Sequence, residues 1–296
     1  MVPDEATKVA MLKTGELDIA QIAPDSTDAL KAAGLKVFAF DGAGQYYMTI
    51  WWDLANPKAF PVGDVRVRKA LSLAINRQEL ADKIFRGYAE PSVLFAARPS
   101  AAYWDANLLK PDPYDPEGAK KLLTEAGYPN GFSNAKIWDR DPGGVGTTLN
   151  TALVGYWRKI GINVDMVPIE YVAFVPKFKP KPIPEIYNTF YTTLGAGGVF
   201  EFEKFVQMHH SVKGSFQNHA NTKLNDLIDQ VPLIADPAEK KKLQLQATIM
   251  AKEEYAVQGI LDYRTILAIG SRVGGLTPVK GMGNFAASFY TITHAK

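Results

Sequence analysis

"DVRVRKALSLAINRQEL", Asp64 to Leu80, encodes two capped helices with almost no chain between them. Asp64 is placed to accept hydrogen bonds from the free N–H groups of a first helical turn. Val67, Ala70, Leu71, Ala74 and Ile75 then recur at i, i+3, i+4, i+7 and i+8, an apolar stripe along one face. Asn76 restarts the pattern as a second cap, with Glu79 three residues on in capping-box position. Leu80, Ala81, Ile84 and Phe85 form the next buried face, and Gly87 supplies the stop. The spacing predicts two core helices meeting at a corner.

A corner of that kind needs a large body to pack on, and the composition allows one. The chain has 296 residues, 47% of them hydrophobic, enough for one large domain or two ordinary ones. Its 33 basic and 31 acidic residues leave a net charge of +2, so nothing in the balance points to nucleic acid or an anionic membrane. Cysteine is absent, which excludes disulfides, thiolate catalysis and cysteine metal sites together. Thirteen Tyr, five Trp and nineteen Pro suit an α/β protein with long structured loops and aromatic-lined clefts.

On either side of the corner, helical and extended patterns alternate. The opening, "MVPDEATKVAMLKTGELDIA", lacks the basic, apolar and small-residue zones of a secretion signal and reads as an amphipathic helix ended by Gly15. A strand over Leu17 to Ala20, a helix over Ser26 to Ala33 and a strand over Leu35 to Phe40 follow. Gln45 to Trp52 is a β-branched and aromatic strand. Glu90 to Pro113 is a loop too long for a plain connection. In "YDPEGAKKLLTEAGYPNGF" Asp115 caps, Pro116 sits at N1, and Ala119, Leu122, Leu123 and Ala126 make the stripe. Gly118 inside this helix costs about 1 kcal/mol relative to alanine, with no evident local reason. A helix over Thr147 to Ile160, strands over Ile162 to Pro168 and Pro184 to Thr193, and helices over Asn221 to Val231 and after Asp236 continue the alternation. Strands over Gln258 to Tyr263 and Thr265 to Ile269 close it. There is no internal repeat, and no run is apolar enough to span a bilayer.

Five segments, "GELDIA", "DVRVRKALSLAINRQEL", "YDPEGAKKLLTEAGYPNGF", "YWRKIGINVDMVPIEY" and "NTKLNDLIDQ…ADPAEKKKLQLQATIMAKEE", occur in an order and spacing that resemble the family 5 extracellular solute-binding proteins. These are the peptide, nickel and oligosaccharide receptors of ABC importers. The resemblance runs from about Val2 to about Gly275. It implies an α/β fold of the type II periplasmic-binding-protein kind, with one complete lobe and a remnant of the other. Residues 1–44 and 264–296 would belong to lobe one, and 45–263 would form lobe two. The family's usual N-terminal portion, with its signal and most of lobe one, would then be missing. The implied function is capture of a small polar solute, oligosaccharide or peptide-like, in the interlobe cleft and delivery to an ABC permease, in the periplasm or outside the cell. No nucleic-acid partner, cofactor or enzymatic activity is expected. The alternative is a ligand-sensing domain of a transcriptional regulator.

Candidate binding residues cluster at two strand–glycine loop–helix junctions, where open α/β sheets hold ligands. In "TTLGAGGVFEFEKF", Gly195, Gly197 and Gly198 let backbone N–H groups approach a ligand, and a helix would begin near Glu201. A plain flexible turn fits the same spacing; in the family this connection faces the cleft. The second junction is "IWDRDPGGVG", with Trp138 and Asp139 at its strand end. Tyr47, Trp51, Trp138 and Tyr191 are placed to stack on sugars or peptide side chains, or to serve as core. In peptide-binding relatives the first junction carries an aspartate that pairs with the peptide ammonium. Here Tyr191 to Phe200 contains no acid, which favours a solute without an essential ammonium, such as an oligosaccharide.

Catalytic patterns are missing. Glu201 and Glu203 lie about 200° apart on the helix that would begin near Glu201, so they form no ready acid/base pair, and there is no nucleophile elbow or Walker loop. His209 and His210 are adjacent and read, with His219, as solvated histidines rather than a metal site.

Overall fold

A computed structural model describes residues 4–94, 103–139, 144–170, 173, 187–196, 209, 221–274 and 293–294, with only the backbone at 41–43, 191–196 and 293–294. The order is α1 (Glu5–Thr14), β1 (Ile19–Gln21), α2 (Thr27–Ala32), β2 (Lys36–Trp51), α3 (Val65–Leu73), α4 (Arg77–Lys83) and β3 (Ala89–Pro91). After these come α5 (Pro116–Glu125), β4 (Phe132–Asp139), α6 (Val145–Lys159), β5 (Ile162–Pro168) and β6 (Thr189–Ala196). Then follow α7 (Thr222–Gln230), α8 (Pro237–Glu253), β7 (Val257–Ile269), β8 (Val273–Gly274) and β9 (Thr293–His294).

The opening corner forms as its residues dictate. Asp64 Oδ1 accepts from the Arg66 N–H at 2.8 Å, and Asn76 Oδ1 from the Glu79 N–H at 3.0 Å. Val67, Ala70, Leu71, Ala74, Ile75, Leu80, Ala81 and Phe85 are all buried in one cluster. Full burial of a single Leu or Ile contributes about 1.5–3 kcal/mol, so this pair of short helices is held by its core face rather than by propensity. The predicted capping box is only half made. The Glu79 carboxylate accepts instead from the Tyr156 hydroxyl at 2.7 Å and pairs with Lys83 at 3.1 Å, tying α4 to α6. Gly118 also finds its reason. Its N–H donates to the Asp115 cap at 2.8 Å, and that carboxylate occupies the space a Cβ would take.

The main sheet has seven strands in the order β1-β7-β2-β6-β4-β5, with β3 paired to β7 off this path. Pairing is antiparallel on the β7–β2–β6 side and parallel between β4 and its neighbours β5 and β6. One face carries Met48, Ile50, Ile137 and Phe190 into the core made with α3 to α6. On it the Trp157 ring lies 5.0 Å from that of Phe190, and its indole N–H donates to Leu71 O at 3.1 Å. The other face sends Tyr47 and Val257 into a second cluster with Leu224, Ile228, Ala247 and Ala251 of α7 and α8. A third cluster, Leu12, Ile22, Leu30, Ile266 and Ala268, gathers the first two helices on the far end of β7.

Two buried arginines bind these layers together. Arg77 donates to Gly259 O at 2.9 Å, to Ser72 O at 3.0 Å and to Ser72 Oγ at 2.8 Å. Ser72 in turn donates to Asp112 at 2.6 Å, which fixes the end of the long loop before α5. Arg68 donates to Val62 O, Gly63 O and Glu254 O, and its guanidinium stacks 4.1 Å from the Trp52 ring centre. Burial pushes its pKa down to about 10, so it stays charged at neutral pH.

Two pairs of predicted strands fuse. Leu35–Phe40 and Gln45–Trp52 are one 16-residue strand, β2, and Gln258–Tyr263 and Thr265–Ile269 are one 13-residue strand, β7. These pair along their length, Lys36 opposite Ile269 at one end and Thr49 opposite Val257 at the other. The ladder shifts between Phe40 and Gly44, where residues 41–43 oppose Arg264 alone. Such a bulge bends a strand and sharpens its twist without ending it, so the glycine-rich punctuation marks a bend rather than a loop.

Candidate functional site

The candidate aromatic residues lie on neighbouring strands. Trp138 on β4 and Thr49 on β2 both register with Tyr191 on β6, so these three form one row across the sheet. Tyr47 and Trp51 flank Thr49 at i−2 and i+2 and therefore share its face, opposite to Met48 and Ile50. Trp138 likewise points away from Ile137 and the α3–α6 core. Tyr47, Thr49, Trp51 and Trp138 are thus on the sheet face opposite the α3–α6 core, where Tyr47 joins the α7–α8 cluster, and all are buried. Among the described residues the Thr49 hydroxyl has no hydrogen-bond partner.

The backbone of Tyr191 and Gly195 is on β6, with Gly195 opposite Gln45 and Tyr191 opposite Thr49. Gly197, Gly198 and Glu201 lie outside the described residues. Asp139 ends β4 and is buried, with both carboxylate oxygens engaged by the first turns of α6. They accept from the Thr147 hydroxyl at 2.7 Å and the Asn150 amide at 3.1 Å. Its carbonyl accepts from the Ile169 N–H at 2.8 Å, locking β4 to the end of β5. In this arrangement Asp139 fastens a strand to a helix.

His209 departs from its sequence reading. It is buried, not solvated, with its ring edge-on to Tyr47 at 5.4 Å between centroids and Nε2 3.4 Å from the Tyr47 hydroxyl. Loss of solvation pushes its pKa down to about 3, so the imidazole is neutral. The signal was present in the sequence: Phe202, Phe205, Val206 and His209 fall at helical spacing, which sets His209 on an apolar stripe. His210 and His219 lie outside the described residues. Among the described residues there is no group of three metal-ligating side chains, and no helix is long and apolar enough to cross a membrane.

The model of the bacterial extracellular solute-binding proteins, family 5 Middle, matches residues 1–189. The chain belongs to this family. The glutathione-binding protein GsiB of Escherichia coli O1:K1 / APEC is 41% identical over 139 residues, which is 46% of this chain and 25% of that relative. The GsiB protein of Salmonella typhimurium matches over the same length at the same identity. Among solved structures, the periplasmic binding protein DppA from Helicobacter pylori in complex with peptide STSA superposes with a TM-score of 0.81 at 20% identity, over 100% of this chain and 56% of that one. NikA from Brucella suis in complex with Fe(III)-EDTA superposes with a TM-score of 0.82 at 18% identity, over 99% of this chain and 61% of that one. At these identities the structures establish the fold. This family 5 chain has the mixed α/β fold of periplasmic binding proteins and spans only part of the length of its relatives.

Proposed function

We propose that this family 5 chain is part of a receptor that captures a small, polar, peptide-like solute for an ABC-type importer, in the periplasm or outside the cell. The observation that carries the reading is the family match over residues 1–189. The named relatives are binding proteins, which agrees with a chain that performs no catalysis. The regulator alternative finds no support among them.

Residues 1–44 and 264–296 form one lobe with whatever completes it, and 45–263 form the other. The bulge at 41–43 opposite Arg264 falls at this division, and β2 and β7 are the two strands that cross it. Two lobes joined by two strands close on a solute by bending at the connection, and only differential contact with the closed form drives that closure. In this reading Gly195, Gly197 and Gly198 bring backbone N–H groups to the cleft, with Tyr47, Trp51, Trp138 and Tyr191 behind them and Glu201 beyond.

The 41% identity to glutathione-binding proteins moves the expected ligand from an oligosaccharide toward a peptide-like molecule. The absence of an acid between Tyr191 and Phe200 leaves Glu201 as the first carboxylate able to meet an ammonium. Calorimetry of the chain, and of any longer product carrying it, against glutathione, di- to pentapeptides, their N-acetylated forms and oligosaccharides tests the proposal. Binding of glutathione or short peptides supports it, and loss of that binding on acetylation assigns an ammonium anchor. Binding of oligosaccharides alone overturns the ligand class.

A further inference from the structure

The turn between α4 and β3 reaches away from its own helices and grips residues on the other side of the bend. Arg86 has a left-handed backbone, φ 50°, unusual for a residue with a long side chain, and Gly87 follows at φ 79°. This swings the Arg86 guanidinium toward α2, where it pairs with Asp28 and, at 3.4 Å, with Asp25. Tyr88 packs its ring against the cluster of Leu12, Ile22, Leu30, Ile266 and Ala268, and its hydroxyl accepts from Lys31 at 3.0 Å. The Tyr88 carbonyl accepts from the Arg264 N–H at 2.8 Å, and Glu90 holds the Arg264 side chain at 2.9 Å. Arg264 is the single residue opposite the three-residue bulge.

We propose that Arg86 to Glu90 is a clasp across the bend, a third tether beside β2 and β7 that limits how far the two lobes turn about Arg264. The inference rests on the reading of the bulge as an interlobe hinge. Its two ends differ in kind. The Tyr88 ring and its backbone bond to Arg264 form a fixed pivot. The Arg86 ion pairs are solvent-exposed, with side-chain exposures of 43% for Arg86 and 81% and 68% for the aspartates. Exposed pairs are individually weak and screened by salt. They suit a device that narrows a distribution of lobe angles without locking it.

Spin labels on cysteines introduced at Lys13 and Lys121, both exposed and on opposite sides of the bend, read the interlobe distance in a chain with no native cysteine. In about 50 mM salt the otherwise unchanged chain should give a narrow distribution that broadens toward 1 M, as the Debye length shrinks. Arg86→Gln should be broad at low salt and indifferent to added salt, and the swap Arg86→Asp with Asp28→Arg should restore part of the narrowing. A narrow, salt-sensitive distribution in Arg86→Gln overturns the clasp. A second label pair within one lobe, at Lys121 and Asp165, should stay constant in every variant and reports an intact fold. Two glycines inserted after Gly42 test the hinge itself. If the insertion broadens the interlobe distance and Arg86→Gln does not, the clasp alone is refuted. If neither changes it, the two-lobe reading fails with it.

Discussion

His209 and Tyr47 show how one buried side chain couples the fold to pH. The folded pKa of His209, about 3, lies well below the 6.5 of the unfolded chain. Below pH 6.5 the unfolded state therefore binds a proton that the folded state refuses. This contribution to stability is complete above pH 6.5 and is lost as pH falls toward 3, at about 1.4 kcal/mol per unit. Urea denaturation at pH 7.5 and pH 5 measures it: the unaltered chain should lose about 2 kcal/mol more over that interval than His209→Gln. Equal losses would place the histidine in water. A residue's titration thus reports a contact that neither neighbour in sequence would reveal.

At the scale of elements, the α3–α4 corner separates what a cap does from what packing does. The Asn76 side chain caps α4 directly, so Asn76→Ala should cost about 1 kcal/mol. Glu79 was placed by its spacing to complete the box, but its carboxylate spans to the Tyr156 hydroxyl on α6. Glu79→Gln keeps an acceptor for that hydroxyl and should cost less than Asn76→Ala. The Asn76→Ala and Tyr156→Phe effects should couple by about 0.5 kcal/mol or more, because both bonds are made to Glu79, one to its N–H and one to its carboxylate, and the Tyr156 hydroxyl also lies 3.5 Å from the Asn76 carbonyl. Thermal unfolding of the single and double variants decides this; strict additivity would mean that the two ends of Glu79 act independently. The corner was legible in the sequence down to its buried stripe, since each stripe residue contacts the same face within one or two turns. The destination of Glu79 was not, because α6 arrives from far along the chain.

For the whole molecule, β2 and β7 are the long axis on which everything else is assembled. Their central residues Met48 to Ile50 and Val257 to Leu261 are buried between the two layers of helices. The β1 strand is three residues long at the edge of the sheet. Amides opened only by global unfolding exchange slowest, and edge amides open locally. Hydrogen exchange followed by mass spectrometry should therefore find Met48–Ile50 and Val257–Leu261 the last to exchange and Ile19–Gln21 among the first. Equal protection of both regions would show that the edge is covered by further chain or by association.

The amino-acid order by itself determined the local units: which residues cap, which stripe turns inward, where helix and strand alternate, and the family these units resemble. Those features depend on interactions within about four residues of helix or on the two-residue alternation of a strand, so they are written along the chain. The tertiary structure alone decided that two pairs of predicted strands are two continuous ones, and that His209 is buried against Tyr47. It also decided that Asp139 fastens β4 to α6 and that Arg77 holds Gly259. Each of these joins groups distant in sequence, where many partners of similar chemistry compete. The choice among them is made by simultaneous burial of apolar surface and satisfaction of polar groups in one packed body, which no single stretch of chain contains.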